Sequence, residues 1–164
     1  MKRIACAVIG ATLLVAEPVY ALEVTRSRDI PVPPKAVWAL IGDFCAIQLW
    51  HPQVQRCVLS SDDTDDGIRA QIRGLVVKGD LGTIVEVETD RDETGMSYSY
   101  SFIQGPLPVR AYNATLAVRP NGTGATVIWS ATFDAEGMSD ADALADIAGV
   151  FEAGLAGIAR ETAR

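Results

Sequence analysis

The sequence predicts an α+β domain in which a curved antiparallel sheet of about seven strands wraps one long amphipathic helix. Three observations carry this. A single strand-like segment is followed by two short helical ones. Six further segments of alternating character then run on, separated by turn residues. The chain closes on a long stretch with helical periodicity. One amphipathic helix has one stripe to bury, and the concave side of a curved sheet offers the matching apolar surface.

Each element has its own justification. Val24–Ile30 reads as the first strand, ended by the prolines of Pro31–Pro34. Pro34 opens a helix, where its missing N–H costs nothing. Val37, Trp38, Leu40 and Ile41 fall on one face of that helix, and Gly42 can close it. Asp43 is expected to cap a second short helix through Trp50, which Pro52 must end. Strands follow at Val54–Ser60, Ile68–Arg73 and Leu81–Thr89, the first two separated by an acidic turn at Asp62–Gly67. Met96–Ile103 alternates cleanly, with Met96, Tyr98, Tyr100 and Phe102 on one face and serines on the other. Ala111–Arg119 and Ala125–Asp134 flank Asn121-Gly122, a hairpin signal. Val127, Trp129, Ala131 and Phe133 share a face of the last strand. Ser139 then caps the closing helix, with Asp140 and Asp142 in its first turn and a stripe of Leu144, Ile147, Phe151, Leu155 and Ile158. Gly149, Gly154 and Gly157 weaken that helix and point to close approach or to a helix that shifts.

The chain has 164 residues and a formal net charge of −7. It shows no repeat, low-complexity tract or dividing linker, which suits one domain with a real core. An acidic surface repels nucleic acid and anionic membranes, so neither is expected as a partner. Lys2 and Arg3 precede an uncharged apolar run, Ile4–Ala16, too short to span a bilayer. Val19 and Ala21 sit at the −3 and −1 spacing of signal-peptidase cleavage. Residues 1–21 are therefore expected to be a signal peptide, with the domain at 22–164 and no membrane span in it. Arginine outnumbers lysine and alanine is abundant, hinting at a GC-rich bacterial source, so the expected location is periplasmic or secreted.

FCAIQLWHPQVQRC, Phe44–Cys57, concentrates the unusual chemistry: two cysteines, the only histidine and a tryptophan. In an oxidising compartment Cys45 and Cys57 read as a disulfide. The rival is a reactive Cys45 thiolate near a helix N-terminus with His51 as its base. One histidine without a Cys-x-x-Cys partner set argues against a metal site, and no cofactor is expected. His51 precedes Pro52 at a helix exit, where it can cap carbonyls or face a cavity; its unperturbed pKa also suits a general base.

The segments VTRSRDIPVPPKAVWALIGDF, CAIQLWHPQVQRC, YSYSFIQGPLPVRAYNATLAV and GATVIWSATFDAEG together resemble the exported branch of the SRPBCC (START-like) superfamily. That branch holds polyketide cyclase/dehydrase-like and lipid-transport-like proteins and an accessory protein of periplasmic methanol oxidation. The resemblance covers nearly all of Leu22–Arg160. It implies a helix-grip fold, seven strands around the C-terminal helix, with an apolar cavity between. It also implies that the Gln104–Arg110 loop lies near the cavity mouth, with Leu107 and Arg110 in reach of a ligand.

The aromatic residues admit two readings, plain core or cavity wall. Tyrosine and tryptophan tips need partners when buried, which suits a mostly apolar pocket with a few polar handles. The ligand-binding set read from the sequence is Trp50, His51, Tyr98, Tyr100, Leu107, Tyr112, Trp129, Phe151 and Leu155. The leading function is an exported protein that holds a hydrophobic small molecule or lipid without transforming it. The alternatives are a cyclase/dehydratase-type enzyme using His51, Tyr98 or Tyr112, and an accessory factor whose acidic surface meets a basic periplasmic protein.

Overall fold

The computed structural model describes residues 21–63 and 69–164. The expected leader and most of the acidic turn at 62–67 lie outside the described residues. Strand β1 (Leu22–Ile30) is followed by helices α1 (Pro34–Ile41) and α2 (Ile47–Trp50). Then come β2 (Val54–Asp63), β3 (Arg69–Val77), β4 (Thr83–Asp92), β5 (Ser97–Gln104), β6 (Val109–Asn121) and β7 (Gly124–Ala135). Helix α3 (Asp140–Thr162) closes the chain.

The strands form one sheet of seven in the order β1-β7-β6-β5-β4-β3-β2, every neighbour antiparallel. From β2 to β7 the sheet is a simple meander, which short turns allow. β1 and β2 are consecutive in sequence yet occupy opposite edges. The segment holding α1 and α2 therefore has to cross the open side of the curved sheet. That crossing, with α3, closes the concave face. The α+β sheet-and-helix architecture is the one the sequence predicts.

Local chemistry explains the boundaries. Pro34 occupies the first turn of α1. Asp43 does not cap α2 itself: the helix begins later, at Ile47, and has no side-chain cap. The Asp43 carboxylate instead accepts the Cys45 N–H at 2.8 Å, making a turn that leads into the helix. Ser139 caps α3, its Oγ accepting the Asp142 N–H at 3.2 Å. Ile147, Phe151, Leu155 and Ile158 are buried beneath the sheet, facing Val127, Trp129 and Phe133 from β7.

Cys45 and Cys57 are joined by a disulfide, with 5.5 Å between their α-carbons. It ties the approach to α2 to the edge strand β2 and adds about 3 kcal/mol by shrinking the unfolded ensemble. The free-thiol reading of Cys45 falls with it.

The helix glycines are explained by approach distance. A Cβ on Gly157 would lie 1.8 Å from the Trp50 carbonyl oxygen, and one on Gly154 would lie 2.6 Å from the Trp129 ring. A Cβ on Gly149 would meet nothing within 4 Å. Gly157→Ala should therefore cost roughly 2–3 kcal/mol by overpacking against backbone. Gly149→Ala should instead stabilise by about 0.5–1 kcal/mol through helix propensity. Urea unfolding of the two variants checks this, and equal effects would break the close-approach account.

Candidate functional site

Alternation on β3 and β4 sets the site. Leu75 and Val77 of β3 and Ile84 of β4 turn to the concave side, and in the same phase stand Arg73 and Glu86, which are direct cross-strand partners. Two opposite charges are thereby carried into an apolar interior. Arg73 is fully buried and Glu86 is 5% exposed. The Arg73 Nε–H donates to Glu86 Oε2 at 2.7 Å, and its Nη1–H donates to the Phe44 carbonyl at 2.6 Å. The guanidinium lies 4.1 Å from the Phe44 ring centre and 4.7 Å from that of Tyr100. Burial alone would push the guanidinium pKa down, but the charge and hydrogen bond of Glu86 together with Tyr98 and Tyr100 outweigh it and the net shift is upward. Arg73 is charged at every working pH.

Above this pair lies a cavity of about 400 Å³ between sheet and α3. Its floor holds Arg73, Glu86, Tyr100 and Tyr112. Its walls are Ile47, Val54, Leu75, Ile84, Ile147 and Phe151, with Trp129 and His51 completing one side. Trp129 and Phe151 stack with centroids 4.4 Å apart, and the Trp129 Nε1–H donates to the Tyr100 hydroxyl at 2.9 Å. Burial raises the pKa of Tyr98, Tyr100 and Tyr112, so all three phenols stay protonated and keep a hydrogen to donate. The mouth is formed by exposed residues: Lys78 and Leu81 on the β3–β4 turn, Pro52 and Gln53 after α2, and Pro106 on the β5–β6 loop. The Lys78 Nζ donates to the Pro52 carbonyl at 2.7 Å and ties two sides of the mouth together.

Tyr112 shares the inward phase of Ala114 and Leu116, and a bulge just before it turns Arg110 away from the cavity. The β6–β7 register shifts between Arg110 and Asn113, and Ala111 takes a φ of 50°. Without the extra residue, strict alternation from Ala114 and Tyr112 would turn Arg110 inward. Arg110 instead points outward, exposed, 3.2 Å from Asp134, so it is not a mouth residue. Leu107, on the adjoining loop, does line the cavity.

The residues picked from the sequence thus divide. His51, Tyr100, Leu107, Tyr112, Trp129 and Phe151 come together around the cavity. Trp50, Tyr98 and Leu155 are buried outside it. Trp50 packs under Gly154 and Gly157, so the second half of α3 rests on that ring and its backbone. Tyr98 lies behind the floor, edge-on to the Phe44 ring at 5.7 Å. Arg73, Glu86 and Lys78 were not singled out from the sequence.

His51 is neutral and engaged on both sides. Its Nε2–H donates to the Val150 carbonyl at 3.1 Å, and its Nδ1 accepts the Gln53 N–H at 3.3 Å. A carbonyl only accepts and an amide only donates, so this tautomer alone satisfies both. The ring straps the end of α2 to α3, and no lone pair remains to take a proton from a ligand. Among the described residues no three His, Cys, Asp or Glu side chains gather to hold a metal ion, and no helix is long and apolar enough to cross a membrane.

Comparison with known proteins agrees with this geometry. The family described as polyketide cyclase/dehydrase and lipid transport matches residues 21–163. The chain superposes on the protein XoxI from Bacillus cereus with TM-score 0.74 and 28% identity, over 86% of this chain and 95% of that one. It is similar in fold to a START superfamily protein from Mycobacterium smegmatis (TM-score 0.71, 13% identity, 86% and 97% covered). An aromatase/cyclase from a Streptomyces species gives 0.70 at 15% identity, with 88% and 95% covered. The fold is the START-like helix grip. No curated protein matches the chain significantly in sequence.

Burial, opposed by the Val150 hydrogen bond and aided by the charges of Arg73 and Lys78, lowers the His51 pKa from 6.5 to about 4. Between those values the unfolded chain takes up a proton that the folded chain refuses. Stability held above pH 6.5 should therefore be lost as pH falls toward 4, by roughly 3 kcal/mol from this group. An NMR titration of the untagged protein, which has a single histidine, should show a neutral ring down to about pH 4. A midpoint near 6.5 would mean that the ring is not strapped.

Proposed function

The chain belongs to the polyketide cyclase/dehydrase and lipid transport family, and from that premise we propose that it binds an amphipathic small molecule or lipid with an apolar body and one uncharged polar end. The observation that carries this is the cavity of about 400 Å³, apolar along most of its walls, with its polar groups gathered at the floor and at the mouth. That volume lies in the range of small-ligand sites, which pair apolar walls with a few fixed polar groups. The floor charges are already matched to each other, so a ligand charge would face a net-neutral pair at the cost of its own desolvation. A hydroxyl or carbonyl suits the floor better, because Tyr100 and Tyr112 offer protons and Glu86 an acceptor.

Holding is favoured over turnover. A cyclase or dehydratase needs a base in the cavity; both His51 nitrogens are bonded to backbone groups, and the Glu86 carboxylate is ion-paired with Arg73. The phenols are poor bases because burial keeps them protonated. Export of the domain to a periplasmic or extracellular compartment belongs to the same reading. It is supported by the leader expected at residues 1–21 and by the Cys45–Cys57 disulfide, a bond that persists in oxidising compartments.

The test is binding. An environment-sensitive apolar dye should bind the folded protein with a stoichiometry near one and quench Trp129 emission. Leu107→Trp, at the half-buried rim, should obstruct it while unfolding stays cooperative. A long-chain alcohol should displace the dye about tenfold better than the parent alkane, and Tyr112→Phe should erase most of that preference, in line with a net hydrogen-bond contribution of about 1 kcal/mol. Dye binding confined to partly denaturing conditions would refute the cavity reading.

A further inference from the structure

The disulfide and the cavity share one segment. Residues 45–57, closed by Cys45–Cys57, carry five cavity-wall residues: Ile47, His51, Pro52, Gln53 and Val54. One side of the chamber is therefore a single cross-linked loop. Its other attachments are non-covalent: the His51 strap to Val150, the Lys78 bonds to the Pro52 and Gln53 carbonyls, the pairing of Val54–Cys57 with β3, and Trp50 packed against α3.

The same loop reaches the floor through Phe44, the residue before Cys45. Phe44 accepts the Arg73 Nη1–H at its carbonyl and lays its ring against the guanidinium. Cys57 is the cross-strand partner of Leu75, two residues along β3 from Arg73. The bond thus anchors the segment of Phe44 to β2, the edge strand beside the one that presents Arg73. Both cysteines are only partly buried, so a reductant reaches them without unfolding the sheet.

We propose that the Cys45–Cys57 disulfide is a redox-operated clamp on the cavity, acting through Phe44 as a positioning residue for Arg73. A dithiol reductant transfers two electrons and two protons: the S–S bond breaks, Cys45 and Cys57 become thiols, and the reductant closes to its own disulfide. The loop carrying Ile47 to Val54 is then held only by hydrogen bonds and packing. Phe44 loosens its grip on Arg73, the floor loses its fixed geometry, and the ligand is released. The order of β3 to β7 does not depend on this bond, since those strands are paired without β2. The proposal rests on the cavity being a binding site.

The experiment uses the full oxidised chain and the same chain in excess dithiothreitol, with the apolar dye as ligand. Reduction should weaken dye binding at least tenfold and reoxidation should restore it, while far-UV circular dichroism and a cooperative unfolding transition persist. Phe44→Leu, with the disulfide intact, should give part of the same loss. A ligand-free readout separates the clamp from the binding reading. The Arg73 Nε–H, buried against Glu86, should exchange with solvent at least tenfold faster after reduction, with amide protection in β6 and β7 unchanged. Unaltered Arg73 exchange in a protein whose thiols have become alkylatable overturns the clamp. So does loss of all cooperative structure on reduction, which makes the bond a plain staple. Absence of dye binding to the oxidised chain, with Arg73 exchange still redox-dependent, overturns the binding reading and leaves the clamp standing.

Discussion

The rest of this structure is arranged around a guanidinium without water. A buried unpaired charge costs several kcal/mol, so Arg73 must find its counter-charge and its acceptors inside the protein. Glu86 supplies the charge from the adjacent strand, Phe44 supplies a carbonyl from the crossing segment, and the rings of Phe44 and Tyr100 pack against the guanidinium. Each partner comes from a different part of the chain. The pair therefore fixes β3 against β4 and β5, and fixes the segment leading to α2 against all three. An apolar pair of similar volume would pack as well or better in stability terms. What the ion pair contributes is directional: it keeps a polar floor at a set depth below apolar walls.

The second constraint is how closely α3 can approach. At Gly154 and Gly157 the helix touches Trp50 and Trp129 with no room for a methyl group. One to two turns earlier it presents Ile147, Val150 and Phe151 to the cavity, with Phe151 still stacked on Trp129. Backbone contact at one end and side-chain contact at the other leave the space in which the cavity lies. His51 sits at the junction, its ring bonded to the Val150 carbonyl and its Cδ2 2.8 Å from where a Gly154 Cβ would be. Burial above all holds the ring neutral, and a protonated His51 would also put an N–H against the Gln53 N–H and a charge near Arg73 and Lys78.

Much of this was legible in the sequence, for reasons that also mark where legibility ends. Periodicity exposed the strands and α3, because those elements bury one face each and the pattern follows. The cysteine pair and the aromatic alternation of Tyr98 and Tyr100 were equally plain. Arg73 and Glu86 were not, because β3 and β4 carry apolar residues on both faces: Ile72 and Val76 opposite Leu75, Val85 and Val87 opposite Ile84. With no clear inside, a charge in either phase reads as solvated. Register, which pairs Arg73 with Glu86, is a tertiary property that no single strand encodes. The bulge at Ala111 is the same kind of miss. Alternation places Arg110 inward with Tyr112, and only an extra residue with positive φ turns Arg110 out. Trp50 shows the converse: its chemistry suits a ligand wall, but α3 comes down on top of it.

A chamber of this size has a thermodynamic consequence. Cavities in protein cores cost on the order of 24 cal/mol per Å³ when their walls lose contacts, so about 400 Å³ of unfilled core would rival the whole stability of a domain. The fold avoids that cost by keeping the chamber open at the mouth between Lys78, Leu81 and Pro106, where solvent has access. Water hydrogen-bonds well at the Tyr112–Glu86 floor but finds no partners along Leu75, Ile84, Ile147 and Phe151. Replacing it there with hydrocarbon is favourable at about 25 cal/mol per Å² of apolar wall covered, while the floor still demands one polar group. A ligand that meets both conditions stabilises the folded chain by its own binding free energy. A purely apolar one leaves the floor unsatisfied and a purely polar one leaves the walls wet. The selectivity of the site follows from that pair of penalties, before any ligand is named.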